Sequence, residues 1–294
     1  MRKNMWKILR VLTTNACNYE CVYCHNEGQE HPAFFEKLTF DKFKSYFEVI
    51  ENIGVEEVRF SGGEPLSNSE TIKMIEWLNR NSNVEIGLAT NGSLVTKEIA
   101  ERLGNTRTMV TLHFPGVGEQ DYALITKRKW ELFERCIALF DEYAVNYSFN
   151  YTLYPQTLST LDRVLEYTIN KGKRIKLLPF LEPNFNNVSE KYIPNIINKL
   201  HEMSTNYEFQ EVQGYHRWRF DNGAQVKLIE SPCYCKDIEK CKEYGEIRLL
   251  PDDSLMSCIF GEKVYINGLS SSELLKTMEK LFVDLKSCES VVKI

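Results

Sequence analysis

Cys17-Asn18-Tyr19-Glu20-Cys21-Val22-Tyr23-Cys24 is the stretch around which the chain is organised, three cysteines spaced C-x3-C-x2-C close to the N-terminus. Three thiolates on one short loop can hold three corners of a cubane iron–sulfur cluster and leave the fourth iron without a protein ligand. An iron left open is a place for chemistry. The competing reading is a zinc loop or a set of reduced structural thiols. Zinc takes four ligands as a rule, so His25, Glu20 or Glu27 would have to close the set, since no fourth cysteine lies nearby.

Working outward, residues 6–13 alternate apolar and polar and run straight into the cysteine loop, the pattern of a first strand. Leu38-Thr39 opens a helix in which Phe40, Phe43, Phe47 and Ile50 share one face, with Gly54 as its stop. A second strand over 58–60 ends at Ser61-Gly62-Gly63-Glu64-Pro65. Further strands over 84–90, 108–113, 145–153 and 174–180 end at Asn91-Gly92, Phe114-Pro115, Tyr154-Pro155 and Leu181-Glu182-Pro183. Helical stretches separate them; one carries Trp130, Phe133, Ile137 and Phe140 on a single stripe, where Cys136 reads as core. Repeated βα units predict an α/β fold with a parallel sheet and right-handed crossovers. Six of them suit an open, partial (β/α)6 form of the TIM barrel, whose chemistry sits in loops at the strand C-terminal ends. The cysteine loop and the Gly-Gly-Glu segment each follow a predicted strand.

Near residue 184 the rhythm changes. The reading divides the chain into a barrel over 1–183 and a C-terminal cluster-binding region over 184–294. The latter holds a linker over 184–187, a helix over 192–203 and a hairpin over 215–229 turning at Asp221-Asn222-Gly223. Cys233, Cys235, Cys241 and Cys258 follow, then an amphipathic helix over 271–285. Thiols at this density point to a metal site.

Composition is ordinary for a globular chain of 294 residues, 43% hydrophobic and 26% charged. A net charge of −5 argues against a nucleic-acid surface, which would need a basic stripe. No apolar run approaches the roughly eighteen residues of a membrane-spanning helix. Lys7 and Arg10 interrupt any signal-peptide core, so the expected compartment is the cytoplasm. There, nine cysteines read better as metal ligands than as disulfides.

With Tyr23 placed just before its last cysteine, the triplet resembles the signature of the radical S-adenosylmethionine (SAM) enzymes, and Gly62-Gly63-Glu64 resembles a second family motif. The resemblance implies a 4Fe–4S cluster on Cys17, Cys21 and Cys24. SAM chelates its open iron and is cleaved by one electron to a 5′-deoxyadenosyl radical that abstracts a hydrogen from substrate. It implies that Gly62, Gly63 and Glu64 hold the methionine amino group, that Thr90-Asn91 lies near the SAM ribose and carboxylate, and that Thr111 touches SAM. Read as residues alone, the two glycines let a backbone approach a ligand closely and Glu64 suits an ammonium group. An ordinary strand-to-helix turn with a surface glutamate is the alternative, and Asn91-Gly92 is also a common turn. His113 is either a structural residue or one that points into the barrel mouth for catalysis. Tyr23 is expected to pack over the cluster.

The segments 17–28, 59–66, Ile247-Arg248-Leu249 and 253–258 resemble the GTP 3′,8-cyclase family of molybdenum-cofactor biosynthesis. That family holds a second 4Fe–4S cluster on a C-x2-C-x13-C set, and its open iron binds substrate. Matching Cys241 and Cys258 to the outer ligands leaves Tyr244 in the middle, so Cys233 or Cys235 has to substitute. If both bind, no iron is open and the cluster relays electrons or braces the fold, as in related SPASM-type enzymes. A zinc site of the same cysteines is the alternative. The family's cations for GTP are eroded. Glu246 stands where the first arginine of an Arg-x-Arg pair would be, Asn68 follows the glycine motif in place of an arginine, and Ser148 replaces a lysine. Each lost charge-assisted bond is worth roughly 1.5–3 kcal/mol. Arg10 is the main survivor. The family's C-terminal Gly-Gly is replaced by Val291-Val292-Lys293-Ile294. GTP is therefore not the expected substrate.

The expectation is a radical SAM enzyme with two clusters, SAM, and a low-potential electron donor of flavodoxin or ferredoxin type. Its substrate would be a small molecule, with nucleotide-derived compounds included, bound near the second cluster. A ribosomally made peptide is the alternative substrate, and a GTP 3′,8-cyclase homologue is the less favoured alternative. With sixteen residues before Cys17, an N-terminal leader-binding domain is expected to be absent, so a separate protein would have to replace it. A scaffold that has lost catalysis is opposed by the intact Glu64 and cysteine triplet. Cys288 has no proposed partner.

Overall fold

Alternation of side chains builds the sheet. On β1 (Ile8–Leu12), Leu9 and Val11 are fully buried beneath helices while Arg10 points to the other face and is half-buried. The same rule runs through β2 (Glu57–Ser61), β3 (Glu85–Thr90), β4 (Met109–His113), β5 (Tyr147–Leu153) and β6 (Arg174–Pro179). The structure is a computed structural model that describes residues 5–24, 29, 35–180, 190–211, 214–230, 237–259 and 261–285. All six of these strands are parallel neighbours in sequence order. Helices α1 (Phe40–Ile50), α2 (Thr71–Asn81), α3 (Lys97–Gly104), α4 (Gly118–Thr126), α5 (Trp130–Glu142) and α6 (Leu161–Asn170) make the crossovers. Phe43, Phe47 and Phe60 are fully buried together, and so are Phe114, Phe133 and Phe149, giving the outer core two aromatic centres. Thr39 caps α1 by accepting from Lys42 N, and Gly54 takes the left-handed conformation that ends this segment.

The C-terminal part contributes α7 (Ile193–Met203), β7 (Asn206–Gln210), β8 (Tyr215–Arg219), β9 (Gln225–Ile229), α8 (Ile238–Tyr244), β10 (Glu246–Leu249), β11 (Ser254–Met256), β12 (Val264–Tyr265) and α9 (Ser271–Val283). The linker expected over 184–187 lies outside the described residues, and the sheet continues with strands from beyond it. β9 adds parallel to β6, carrying β8 and β7 outward, while β10 adds parallel to β1, carrying β11 and β12. The result among the described residues is one open twelve-stranded sheet in the order β12-β11-β10-β1-β2-β3-β4-β5-β6-β9-β8-β7. The anticipated hairpin turns at Gly223, which has a positive φ of 86°. β10 was not anticipated as a strand, since its charged residues Glu246 and Arg248 face inward. α9 closes the base: Trp6 is fully buried and donates from Nε1 to Met278 O at 2.9 Å. No helix among the described residues is long and apolar enough to cross a membrane.

Candidate active site

The loop that carries the three cysteines leaves the C-terminal end of β1 and is fastened to the ends of β2 and β3. Gly63 N donates to Thr14 O at 2.8 Å and Glu64 N to Ala16 O at 2.7 Å. A Cβ on Gly63 would lie 2.1 Å from Ala16 O, and one on Gly62 would lie 2.4 Å from Thr14 O. The cysteine loop itself comes within contact of both glycines, so neither has room for a Cβ. Gly62 also has a φ of +131°, which favours glycine.

Glu64 is fully buried. Its Oε1 accepts from Leu66 N at 2.9 Å and from Thr90 Oγ1 at 2.6 Å, and its Oε2 accepts from Asn91 N at 2.8 Å. Burial raises its pKa, and the three donors pull the other way without cancelling it. The carboxylate therefore ties the β2 end to the β3 end. Asn91 reaches onward, donating from Nδ2 to Asn18 Oδ1 at 2.9 Å, while Asn18 Nδ2 donates to Ser93 Oγ at 2.8 Å. Arg128 Nε donates to Asn18 O at 2.8 Å. Asn18, Ser93 and Arg128 were not singled out in the sequence; the only signal for Asn18 is its place inside the cysteine triplet.

Cys17 and Cys24 are exposed and Cys21 is half-buried. Burial pushes the Cys21 thiol up to about 12, and the neighbouring Cys24 and Cys17 charges add to it. Burial raises Cys17 as well. A positively charged metal group among the three thiols would reverse this, because thiolates next to metal ions lose their protons. The donor set and the glycine cradle beneath the loop fit an iron–sulfur cluster, with Cys17, Cys21 and Cys24 as its ligands. Among the described residues, no three Cys, His, Asp or Glu side chains form a ready cage for a single metal ion.

Tyr23 is buried over the inner mouth of the sheet. Its ring meets Tyr154 and Phe180 at centroid distances of 5.6 and 6.5 Å, and its Oη lies 3.1 Å from His113 Nε2. His113 Nε2 is also 3.7 Å from Cys21 Sγ, and burial lowers this imidazole to about 4, keeping it neutral near pH 7. Thr111 lies one layer below on β4, between Ala89 and Ser148 in register.

Cys241 lies on α8 and Cys258 just after β11, both half-buried. α8 enters β10 at its N-terminal end and β11 leaves beside that end, because the two strands are antiparallel. β10 is parallel to β1. The two cysteine groups therefore sit at opposite ends of the strands, separated by on the order of 15–20 Å of strand. Cys233 and Cys235 lie outside the described residues, so the fit of a second cluster turns on partners that are not described. Tyr244 accepts from Arg59 Nη1 and donates toward Glu246 at 3.5 Å.

Between the two ends, the inner face carries charge. Glu246 accepts from Arg10 Nε and Nη2 at 2.8 Å each and from Arg248 Nη2 at 2.9 Å, with Arg59 Nη1 at 3.5 Å. Burial would raise its pKa, but Arg10, Arg248 and Arg59 hold it well below the carboxylate range. Glu57 takes Arg59 in a two-bonded pair at 2.6 Å. Asn68, which stands where the cyclase-like pattern has an arginine, is buried and braces the backbone, donating to Thr13 O and Leu38 O.

An open parallel barrel with three cysteines at the end of its first strand defines a class of radical enzymes, and comparison places the chain within it. Residues 11–168 match the Radical SAM superfamily, so the chain belongs to that superfamily and is an iron–sulfur enzyme. The protein is similar to a probable GTP 3′,8-cyclase of Methanocella arvoryzae, with 22% identity over 290 residues covering 92% of this chain and 89% of the relative. It is 25% identical over 302 residues to the GTP 3′,8-cyclase of Staphylococcus carnosus, covering 93% of this chain and 86% of that one. Streptococcus suis SuiB solved with S-adenosylmethionine shares the fold, with a TM-score of 0.71 at 11% identity over 98% of this chain and 68% of SuiB. SuiB solved with its precursor peptide SuiA gives 0.68 at 11% identity, over 98% of this chain and 67% of SuiB.

Proposed function

We propose that the chain binds SAM at a 4Fe–4S cluster on Cys17, Cys21 and Cys24, cleaves it reductively, and modifies a small molecule lodged inside the partial barrel. When bound, the cluster and SAM supply a 5′-deoxyadenosyl radical that abstracts a hydrogen from an unactivated carbon. The observation that carries this reading is the junction of Gly63, Glu64, Thr90 and Asn91, which fixes the ends of β2 and β3 directly against the cysteine loop. Gly62, Gly63, Glu64, Thr90, Asn91 and Thr111 form the SAM side of the site. Tyr23 and neutral His113 pack the inner wall and exclude water from the radical's path. A second 4Fe–4S cluster on Cys241, Cys258 and at least one of Cys233 and Cys235, within the 184–294 region, would meet substrate from the opposite end. A cytoplasmic flavodoxin- or ferredoxin-type donor would supply the electron.

GTP is disfavoured by charge. Arg10, the retained arginine, and Arg248 are both spent on Glu246. A peptide is the second reading, supported by the fold shared with SuiB, which was solved with a precursor peptide. The test is anaerobic reconstitution, reduction and addition of SAM. Release of 5′-deoxyadenosine, abolished in Cys24→Ala, is expected, with GTP left unconsumed. An iron- and sulfide-loaded, reduced enzyme that releases none would end the proposal.

A further inference from the structure

Charge on the inner face is balanced at one side of the barrel and unbalanced at the other. Arg10, Arg59 and Arg248 meet Glu246 or Glu57, and Arg217 and Arg219 meet Glu208. Lys176 on β6 and Lys227 on β9 are register partners, side by side on the same face. Neither makes an ion pair with a carboxylate among the described residues. Lys227 Nζ instead lies 3.5 Å from the centre of the Tyr215 ring. Burial pushes both ammonium groups down to about 8. Arg59 and Arg10 add repulsion at Lys176, and Lys176 and Arg217 add it at Lys227. Two neighbouring cations held in this way cost the fold stability, and the attraction of Glu57 and Glu246 at Lys176, and of Glu208 and the Tyr215 ring at Lys227, leaves both still held below the ordinary lysine range.

Asn150 completes the place. It pairs in register with Lys176 on one side and His113 on the other, and its Oδ1 is buried without a donor. His113 touches Cys21. The row Cys21, His113, Asn150, Lys176, Lys227 thus runs from the cysteine loop to the lysine pair. Adjacent strands are about 4.8 Å apart, so the path from His113 to Lys176 is about 10 Å, the length of a small metabolite.

We propose that Lys176 and Lys227 form an anion seat for the substrate, gripping one compact phosphate or carboxylate group, while Asn150 Oδ1 accepts a hydrogen bond from a hydroxyl beside it. This rests on the proposed function, whose substrate it narrows to a small, singly headed anion. The seat lies at the β6–β9 junction, away from the arginines that Glu246 and Glu57 neutralise.

The test is calorimetric titration of the anaerobically reconstituted, SAM-loaded enzyme with phosphate, pyrophosphate and succinate, and with glycerol as a neutral control. Saturable binding of at least one anion is expected. It should weaken by about tenfold or more in Lys176→Met and Lys227→Met and survive in Lys176→Arg. Tighter binding of the phosphates assigns a phosphoryl group, and tighter succinate a carboxylate. Lys176→Met is also expected to raise Tm at pH 7, the reverse of losing a structural lysine, and that melt shows that the variant is folded. Absence of saturable anion binding to the wild type, or equal binding by the methionine variants, overturns the proposal. Wild-type 5′-deoxyadenosine release, measured separately, reports on the proposed function and not on the seat.

Discussion

Replacing Gly63 by alanine tests whether the cysteine loop is held where the chemistry requires it. The added methyl would sit 2.1 Å from Ala16 O, 2.4 Å from Ala16 C and 2.9 Å from Cys17 N. All three are backbone atoms, so no side chain can swing aside. Restoring ordinary contact moves the loop by about 1 Å, because the sheet beneath it is fixed by its ladder. The move also stretches the bonds from Gly63 N to Thr14 O and from Glu64 N to Ala16 O. Overpacking of this kind costs ~1–3 kcal/mol, and weakening two backbone bonds adds up to ~1 kcal/mol each. A relaxed loop recovers part of that, leaving ~2–3 kcal/mol and a fall in Tm of roughly 3–5 °C for a chain of 294 residues. The fold survives, but a displacement of about 1 Å at a reacting centre can cost about a hundredfold in rate. The assay is iron and sulfide content after anaerobic reconstitution, then 5′-deoxyadenosine release. Gly87→Ala is the control, since its methyl meets nothing closer than 3.4 Å. Wild-type cluster content and wild-type release in Gly63→Ala would refute the reasoning.

Glu246→Gln leaves Arg10, Arg59 and Arg248 crowded without their carboxylate, a loss of ~3–5 kcal/mol readable by thermal melting. Because the folded pKa of Glu246 is depressed, its contribution is present above the unfolded value near 4.5 and is lost as pH falls below it. Melts from pH 7 to pH 3 should therefore show a shallower acid slope in the variant than in the wild type. Asn18→Ala removes the bonds to Ser93 and Asn91, each worth ~1 kcal/mol, and is expected to raise KM for SAM more than it lowers kcat. Cys258→Ala should cut iron per chain from about eight to about four while 5′-deoxyadenosine release persists, and unchanged iron would remove Cys258 from the second site.

Much of this was legible because the chemistry-bearing loops are punctuated. A cysteine triplet, Gly62-Gly63 and Asn91-Gly92 each interrupt an apolar strand pattern, and the strands fall within a few residues of their expected places. The partners of those loops were not legible. That Gly63 faces Ala16, or that Glu64 is consumed by Thr90 and Asn91, depends on contacts between segments far apart in sequence. β10 was hidden because half its residues are charged, and only its pairing with β1 explains why Glu246 and Arg248 can be buried. Lys176 carried a usable signal, since Arg174-Ile175-Lys176-Leu177 alternates and puts the lysine opposite the core face.

The polar inner face bears on how the protein can afford a reactive cavity. In a closed (β/α)8 barrel the interior is filled by layers of branched apolar side chains. Here Arg10, Glu57, Arg59, Lys176, Lys227, Glu246 and Arg248 occupy those positions, and the sheet stays open. Stability must then come from the opposite face, where Leu9, Val11, Phe60, Leu112 and Phe149 are fully buried against the helices. That division lets inner-face residues change their charge without dismantling the core. The choice of residue at positions such as 246 and 176 can therefore set what the barrel binds while the cysteine loop and its Glu64 anchor stay as they are.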